Sequence, residues 1–223
     1  MLTPVLLVLI AIAAYLLGSV NGAIIVSRYL FHSDVRTMGS GNAGLTNFYR
    51  NYGAKGIAGV LGIDIAKGAL APLIGGLVFG LATSDPLLEQ EYLRVGRLFA
   101  TFCLVLGHVF PVFYGFRGGK GILSGGTLVL LLNWRVAAVA WALFLLLWLT
   151  TRYVSLASIT ATCSAPITVY FVYAHNWLYT GLCLAVAALV VWCHRENIQR
   201  LLHGTEKKFK WHVNPMEGKD PPQ

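Results

Sequence analysis

Residues 3–25 read TPVLLVLIAIAAYLLGSVNGAII, and no charged side chain interrupts them. Residues 136–151 and 154–191 are also without Asp, Glu, Lys or Arg. An apolar run of about 18 residues or more is long enough to cross the hydrocarbon core of a bilayer as a helix. Because backbone groups in lipid must be hydrogen bonded within their own segment, these runs are expected to be helical. The predicted fold class is therefore an all-α, polytopic integral membrane protein.

The composition of the whole chain agrees with a membrane protein. Of its 223 residues, 57% are hydrophobic and only 12% are charged, whereas a soluble domain carries about 25% charged residues. The net charge of +8 does not indicate a nucleic-acid partner, since Lys and Arg collect in the cytoplasmic loops of membrane proteins. One domain over residues 1–223 is expected, with a loosely ordered tail at 210–223.

About seven transmembrane spans are predicted, at residues 4–27, 57–82, 98–115, 122–133, 136–151, 154–173 and 177–193. The fourth is short and Gly-rich at its start. With the N-terminus outside, 13 of the 17 Lys and Arg residues fall inside, and only Arg94, Arg97 and Arg135 fall outside. The positive-inside rule therefore predicts a cytoplasmic C-terminus.

Two Gly-rich segments on the predicted inner side have the composition of phosphate-binding loops. Residues 38–50 (MGSGNAGLTNFYR) combine glycines, amides and Arg50, whose planar guanidinium suits a phosphate. In residues 116–121 (FRGGKG), Gly118, Gly119 and Gly121 are expected to expose backbone N–H groups, while Lys120 and the following helix N-terminus add positive charge. An ordinary flexible loop and a basic interfacial turn are the respective alternatives. The spacing is not that of a Walker A motif, so nucleotide binding is not indicated.

Two further polar groups lie near the same predicted surface. Ser155 and Ser158 share one helix face, and His194 and Asn197 are one turn apart. Helix packing is the alternative for the serines, and an interfacial position for the histidine. Asp64 and Lys67 lie deep in the second span, which makes them functional candidates, with mutual pairing as the alternative. No metal-ligand cluster and no nucleophile motif is present in the sequence, so neither a metal nor a cofactor is expected.

These segments, in this order, resemble the bacterial membrane glycerol-3-phosphate acyltransferases that use acyl phosphate as donor. The resemblance covers residues 39–50, 107–121, Ser158 and 194–206, and thus nearly the whole chain to Glu206. It implies transfer of a fatty acyl group from acyl phosphate to the 1-hydroxyl of glycerol 3-phosphate. The implied products are lysophosphatidic acid and phosphate, in the first step of bacterial phospholipid synthesis. The implied location is the cytoplasmic (inner) membrane, with the site facing the cytoplasm.

The resemblance also implies roles for individual residues. Glycerol 3-phosphate would be bound by Gly118, Gly119, Lys120, Gly121, Ser158, His194 and Asn197. Acyl phosphate would be bound by Ser40, Gly41, Asn42, Thr46, Asn47 and Arg50. The residues expected to be catalytic are Ser40, Arg50, Lys120, His194 and Asn197, whereas Glu196 and Glu206 are expected to be structural. Ala43, Leu45 and Arg117 depart from the common pattern, which leaves the acyl-chain preference open.

Two other functions remain as alternatives. A transporter or exchanger of an organic phosphate would place its site near the bilayer midplane on broken helices, whereas these candidates cluster at one face. A non-catalytic lipid-binding scaffold would not require Gly-rich anion loops. For the acyltransferase, the expected partners are the two substrates and membrane lipid, and the expected state is a monomer. His194 or a substrate phosphate is expected to take the proton from the hydroxyl group.

Overall fold

The computed structural model describes residues 4–211, and this part of the chain is helical without β-strands. Two short 3-10 turns, Val35–Thr37 and Val112–Tyr114, lie in the connecting loops. The α-helices are α1 (Pro4–Ser19), α2 (Gly22–Phe31), α3 (Leu45–Tyr52), α4 (Ile57–Gly80), α5 (Pro86–Val109), α6 (Ile122–Leu132), α7 (Trp134–Thr151), α8 (Val154–Val172), α9 (Trp177–Cys193) and α10 (Arg195–Leu202). Residues 212–223, most of the tail predicted to be loosely ordered, lie outside the described residues, so that prediction stays a prediction.

Five helical segments of residues 4–211 are long and apolar enough to cross a membrane. Counting α9 and α10 as one segment bent by 59° makes a sixth. The prediction of seven spans is not confirmed, because α6 has only 11 residues. The all-helical architecture with several apolar spans does agree with the sequence.

The first predicted span is interrupted at residues 20–21. Asn21 caps α2 by accepting a hydrogen bond from the Ile24 amide at 3.0 Å. Lys67 Nζ donates to the carbonyl oxygens of Gly18 at 3.1 Å and Val20 at 2.6 Å, groups that the end of α1 leaves without helical partners. Buried charged groups need such partners, so the deep lysine stabilises the break between α1 and α2.

Two predicted loop regions contain helix. The residues between the second and third predicted spans, expected to be a loop outside the membrane, are helical from Pro86, where α5 begins. Asp85 is its N-cap, accepting a hydrogen bond from the Leu87 amide at 2.9 Å. A proline at the first helical position and an aspartate at the N-cap both signal the start of a helix. The prediction followed the low hydropathy of this segment instead. Residues 28–56, between the first and second predicted spans, likewise contain the end of α2 and all of α3.

Helix α5 lies at the centre of the bundle and packs against α1, α4, α6 and α9. It approaches α4 closely because Gly75 and Gly96 face each other. A Cβ atom on Gly96 would overlap the carbonyl oxygen of Gly75. Large apolar side chains on the outer surfaces of α1, α4, α7 and α9 stay exposed, as expected for helices that face lipid.

Candidate active site

A single cavity of about 1140 Å³ brings the four polar segments together. Every residue predicted for the site lines it: Ser40, Gly41, Asn42, Thr46, Asn47, Arg50, Gly118, Gly119, Lys120, Gly121, Ser158, His194, Glu196, Asn197 and Glu206. The cavity continues between α6, α7, α8 and α9, where its walls are apolar. The sequence therefore predicted which residues meet, while their division between two substrates stays a prediction.

Asn47 organises the first Gly-rich loop from within. Its Nδ2 donates to the carbonyl oxygens of Val35, Met38 and Asn42 at 3.0 to 3.1 Å. Its Oδ1 accepts from the Ser40 amide at 3.0 Å. Since the side chain is buried and its polar atoms are occupied by the loop, we expect Asn47 to shape this loop rather than to hold a ligand directly.

The two Gly-rich loops are fastened to each other. The Ala43 amide donates to the Gly118 carbonyl at 3.3 Å. Arg36 Nη1 donates to the carbonyl oxygens of Tyr114 at 2.6 Å and Arg117 at 3.1 Å. The hydrogen bonds from Arg36 lead the effects that hold the pKa of Asp34 far below its usual range, so Asp34 stays ionised and keeps Arg36 in place. Sequence reasoning did not assign this pair, because the second loop is 81 residues away along the chain.

The expected free amides of Gly118 and Gly119 are not found. The Gly118 amide donates to the Val109 carbonyl and the Gly119 amide to the His108 carbonyl, both at 3.1 Å. A Cβ atom on either glycine would overlap the end of α5. These glycines therefore permit close backbone packing, and the anion-binding capacity of this loop falls to Lys120 and the N-terminus of α6.

Lys120 is held by a partly buried chain of hydrogen bonds. Its Nζ donates to Asn197 Oδ1, and Asn197 Nδ2 donates to Glu206 Oε1 at 2.8 Å. Burial, and then the nearby charge of Arg200, lowers the pKa of Lys120 to about 8. A phosphate dianion beside this ammonium group would favour its charged form, so the site is suited to bind an anion.

Glu206 anchors this arrangement, whereas Glu196 does not. Glu206 also accepts from Ser155 Oγ and from Arg200 Nε, each at 2.8 Å. Burial alone would raise the pKa of Glu206, but the hydrogen bonds from Arg200, Asn197 and Ser155 together lower it. The side chain of Glu206 is 5% exposed and that of Glu196 is 70% exposed, so the two predicted structural glutamates differ in their contacts.

His194 and Ser158 offer polar atoms to the cavity. His194 lies between α9 and α10, and its Nδ1 donates to the Val190 carbonyl at 2.8 Å. Within residues 4–211, neither His194 Nε2 nor Ser158 Oγ has a hydrogen-bond partner. The hydroxyl groups of Ser40 and Thr46 are likewise without a partner in the described chain. These atoms remain available to a bound ligand.

The segment after α10 covers one side of the cavity. Arg50 Nη2 donates to the Lys207 carbonyl at 2.8 Å, and the ring of Tyr49 stacks on that of Phe209 at 5.1 Å between centroids. The Phe209 amide donates to the Arg152 carbonyl at 2.7 Å. The sequence carries no signal for the contact between Arg50 and the Lys207 backbone, because it depends on how the chain after α10 folds back.

Comparisons with known proteins agree on one family. The family model described as glycerol-3-phosphate acyltransferase matches residues 8–204. The chain belongs to the glycerol-3-phosphate acyltransferase family. The curated glycerol-3-phosphate acyltransferase of Thermoanaerobacter sp. (strain X514) is 39% identical over 205 residues, which cover 91% of this chain and 95% of that protein.

Two crystal structures of the integral membrane glycerol 3-phosphate acyltransferase PlsY (YgiH) have the same fold as this family member. The glycerol 3-phosphate form is 38% identical with a TM-score of 0.78, covering 92% of this chain and 96% of that chain. The lysophosphatidic acid form is 35% identical with a TM-score of 0.76, covering 92% and 95%. This acyltransferase is therefore a multi-pass membrane protein, and its family match spans all the polar segments except the last residues up to Glu206.

Proposed function

We propose that this protein transfers a fatty acyl group from acyl phosphate to the 1-hydroxyl of sn-glycerol 3-phosphate. The products are lysophosphatidic acid and inorganic phosphate, in the first step of bacterial phospholipid synthesis. The two PlsY crystal structures support the acceptor and the product class, since they are a glycerol 3-phosphate form and a lysophosphatidic acid form. The acyl phosphate donor is proposed on the resemblance and on the chemistry of the cavity.

The observation that carries the proposal is the two-part character of the cavity. Lys120, Arg50 and other polar groups line one part of it, called the mouth here, and Leu128, Phe144 and Val186 among other apolar side chains line the rest, called the interior. An acyl phosphate has an anionic head and a long apolar tail, so it matches both parts at once. A small, doubly anionic acceptor needs only the polar mouth.

The reaction needs positioning and charge compensation more than a nucleophilic residue. The oxygen of the 1-hydroxyl attacks the acyl carbonyl carbon, the bond from that carbon to the phosphate oxygen breaks, and phosphate departs with the electron pair. Acyl phosphate is a mixed anhydride and is already activated. Arg50 and Lys120 both line the cavity, and we assign to them the holding of the two phosphates and the stabilisation of the departing one.

The hydroxyl proton goes to His194 or to a substrate phosphate. A carbonyl oxygen only accepts hydrogen bonds, so the contact with Val190 keeps a proton on His194 Nδ1. In the neutral ring, Nε2 then carries a lone pair that can receive a proton. If His194 is the base, His194→Gln lowers kcat across the pH range. Full kcat at every pH in this variant would assign the proton to a substrate phosphate.

The site is proposed to face the cytoplasm from the inner membrane. This orientation rests on the distribution of charge, since most Lys and Arg residues fall in segments on the side of the cavity mouth. The soluble acceptor would reach the mouth from the cytoplasm while the acyl chain stays among apolar side chains. A monomer is sufficient for the proposal, because one chain supplies every lining residue.

The identity of the donor can be tested with purified protein in detergent. Labelled glycerol 3-phosphate is supplied with palmitoyl phosphate in one reaction and with palmitoyl-CoA in another. We expect labelled lysophosphatidic acid only with palmitoyl phosphate, together with one phosphate released per acyl group transferred. Equal or faster product formation from palmitoyl-CoA would refute the proposed donor, and no product from either would favour an organic-phosphate transporter, to be tested by uptake into proteoliposomes.

A further inference from the structure

A buried cluster of Asp64, Lys67 and His108 adjoins the cavity, and the proposed reaction does not use it. Lys67 Nζ lies 3.0 Å from Asp64 Oδ1 and 2.8 Å from His108 Nδ1. All three residues are less than 5% exposed. Lys67 stabilises the break between α1 and α2, and Asp64 does so too, because it accepts a hydrogen bond from the Gly22 amide at 3.3 Å. Stabilisation of this break does not explain why residue 108 is a histidine.

The contact with Lys67 fixes the tautomer of His108. An ammonium group has only donors, so His108 Nδ1 must accept from Lys67. The ring proton is therefore on Nε2, which makes Nε2–H a hydrogen-bond donor. Within residues 4–211 no acceptor pairs with this group, although the ring is only 4% exposed and lines the cavity.

His108 Nε2 lies where the two Gly-rich loops meet. A Cβ atom on Gly119 would overlap Nε2 on one side and would lie 2.6 Å from the Ala43 carbonyl oxygen on the other. Gly119 directly precedes Lys120, and Ala43 directly follows Asn42. Because Nε2 keeps accessible surface only toward the cavity that His108 lines, a group inside that cavity must accept its hydrogen bond, and Lys120 lines the same cavity.

We propose that His108 is a further substrate-binding residue, which donates Nε2–H to a phosphoryl oxygen held between the two Gly-rich loops. Lys67 is its positioning residue, because it keeps the proton on Nε2. The proposal deepens the proposed function and rests on it. The shared ligand chemistry is a phosphate monoester or acyl phosphate group, which either substrate supplies.

Two amide variants test the two ring nitrogens of His108 separately. In His108→Asn, the amide oxygen can replace Nδ1 as the acceptor for Lys67, but the donor at the position of Nε2 is lost. In His108→Gln, the amide nitrogen can reach the position of Nε2 and donate, but the acceptor for Lys67 is lost. We therefore expect His108→Asn to be the more stable and His108→Gln the more active of the two. A purely structural histidine would give stability and activity in the same order.

The experiment measures kcat and KM for both substrates, the thermal midpoint, and glycerol 3-phosphate affinity by calorimetry. A hydrogen bond to a charged group corresponds to about 10- to 100-fold in kcat/KM, so we expect a loss of this size in His108→Asn and partial recovery in His108→Gln. A raised KM for one substrate identifies which phosphoryl group is contacted, and a loss confined to kcat places the contact in the transition state.

Two results would overturn the proposal. One is wild-type kcat/KM and wild-type glycerol 3-phosphate affinity in His108→Asn. The other is an activity in His108→Gln no higher than in His108→Asn. If the wild-type protein makes no product at all, the proposed function fails instead, and the calorimetric comparison of wild type with His108→Asn still tests whether this donor binds the phosphate ester.

Discussion

His108 and His194 both line the cavity, and their hydrogen bonds leave opposite groups facing it. A lysine donates to Nδ1 of His108, which leaves Nε2–H as a donor. A backbone carbonyl accepts from Nδ1 of His194, which leaves Nε2 as an acceptor when the ring is neutral. One histidine is thus suited to bind an anion and the other to receive a proton. The residue type alone does not distinguish these roles, because the partner of Nδ1 decides between them.

The charge of Lys120 predicts how activity depends on pH. With a pKa of about 8, the free enzyme loses this charge as the pH rises above 8. We expect kcat/KM for glycerol 3-phosphate to fall about tenfold per pH unit on that limb, since an uncharged amine holds phosphate weakly. Lys120→Arg should have a lower maximum but no such limb below pH 10, because arginine stays protonated. An unchanged limb in the arginine variant would assign the ionisation to another group.

Glu206→Gln tests the anchor of Lys120 and Asn197. The amide can no longer accept from Arg200 and from the pair of Ser155 and Asn197 at the same time. We expect the free energy of unfolding to fall by about 1–3 kcal/mol and the KM for glycerol 3-phosphate to rise. The matched control is Glu196→Gln, whose exposed ion pair is worth at most about 1 kcal/mol. Equal effects of the two substitutions would remove Glu206 from this role.

Close helix packing at small residues positions the elements that carry the site. Gly75 and Gly96 bring α4 and α5 together, and the last carbonyl groups of α5 accept hydrogen bonds from the second Gly-rich loop. The break between α1 and α2 is held by Lys67 from α4. Interfaces of this kind depend on van der Waals packing, because lipid tails give little hydrophobic preference for helix over lipid. The geometry of the loops is therefore set in part by helix crossings away from the cavity.

Gly96→Ala should weaken the crossing of α4 and α5. The added methyl group would overlap Gly75 and the side chain of Phe79, and overpacking of this kind costs about 1–3 kcal/mol. Gly181→Ala is the control, since nothing lies within 4 Å of its added Cβ atom and alanine favours a helix. Thermal unfolding in detergent should show a lower midpoint for Gly96→Ala only. An unchanged midpoint in Gly96→Ala would mean that this crossing does not limit stability.

Hydropathy predicted the elements well where apolar runs are uninterrupted. Residues 177–193 match α9 at both ends. The start of α5 was missed because Glu89, Glu91, Arg94 and Arg97 made residues 86–97 resemble a polar loop, although Asp85 and Pro86 signal a helix start. Loop composition and the family resemblance, not hydropathy, predicted the polar residues that line the cavity. They did not predict the occupied amides of Gly118 and Gly119, since backbone hydrogen bonds to the end of α5 depend on tertiary packing.

The whole molecule combines a polar mouth with an apolar interior in one cavity. Four helices, α6 to α9, supply the apolar walls, and the segment after α10 covers the side near Trp148 and Phe209. In the proposed function, this arrangement would let an amphiphilic donor and a soluble acceptor meet without either leaving its preferred surroundings. If the acyl chain of the proposed donor occupies the interior, the size of the interior limits which chains fit.

Ala161→Leu should shift the preference for acyl-chain length. Ala161 lies on α8 and lines the apolar part of the cavity. We expect the ratio of kcat/KM for palmitoyl phosphate to that for decanoyl phosphate to fall about fivefold or more, because a longer chain must displace the added side chain. Ala142→Leu makes the same change at an exposed position on α7 and should leave the ratio as it is. An unaltered ratio in Ala161→Leu would place the acyl chain elsewhere.

The rate of acyl transfer by purified wild-type protein beside Lys120→Ala tests the central claim most directly. Both proteins receive palmitoyl phosphate and labelled glycerol 3-phosphate, and lysophosphatidic acid is quantified. We predict product from the wild type, and a raised KM for glycerol 3-phosphate or lost activity in the variant, because Lys120 supplies the charge at the second loop. Wild-type kinetics in folded Lys120→Ala, or no product from folded wild type, would contradict an acyltransferase site in this cavity.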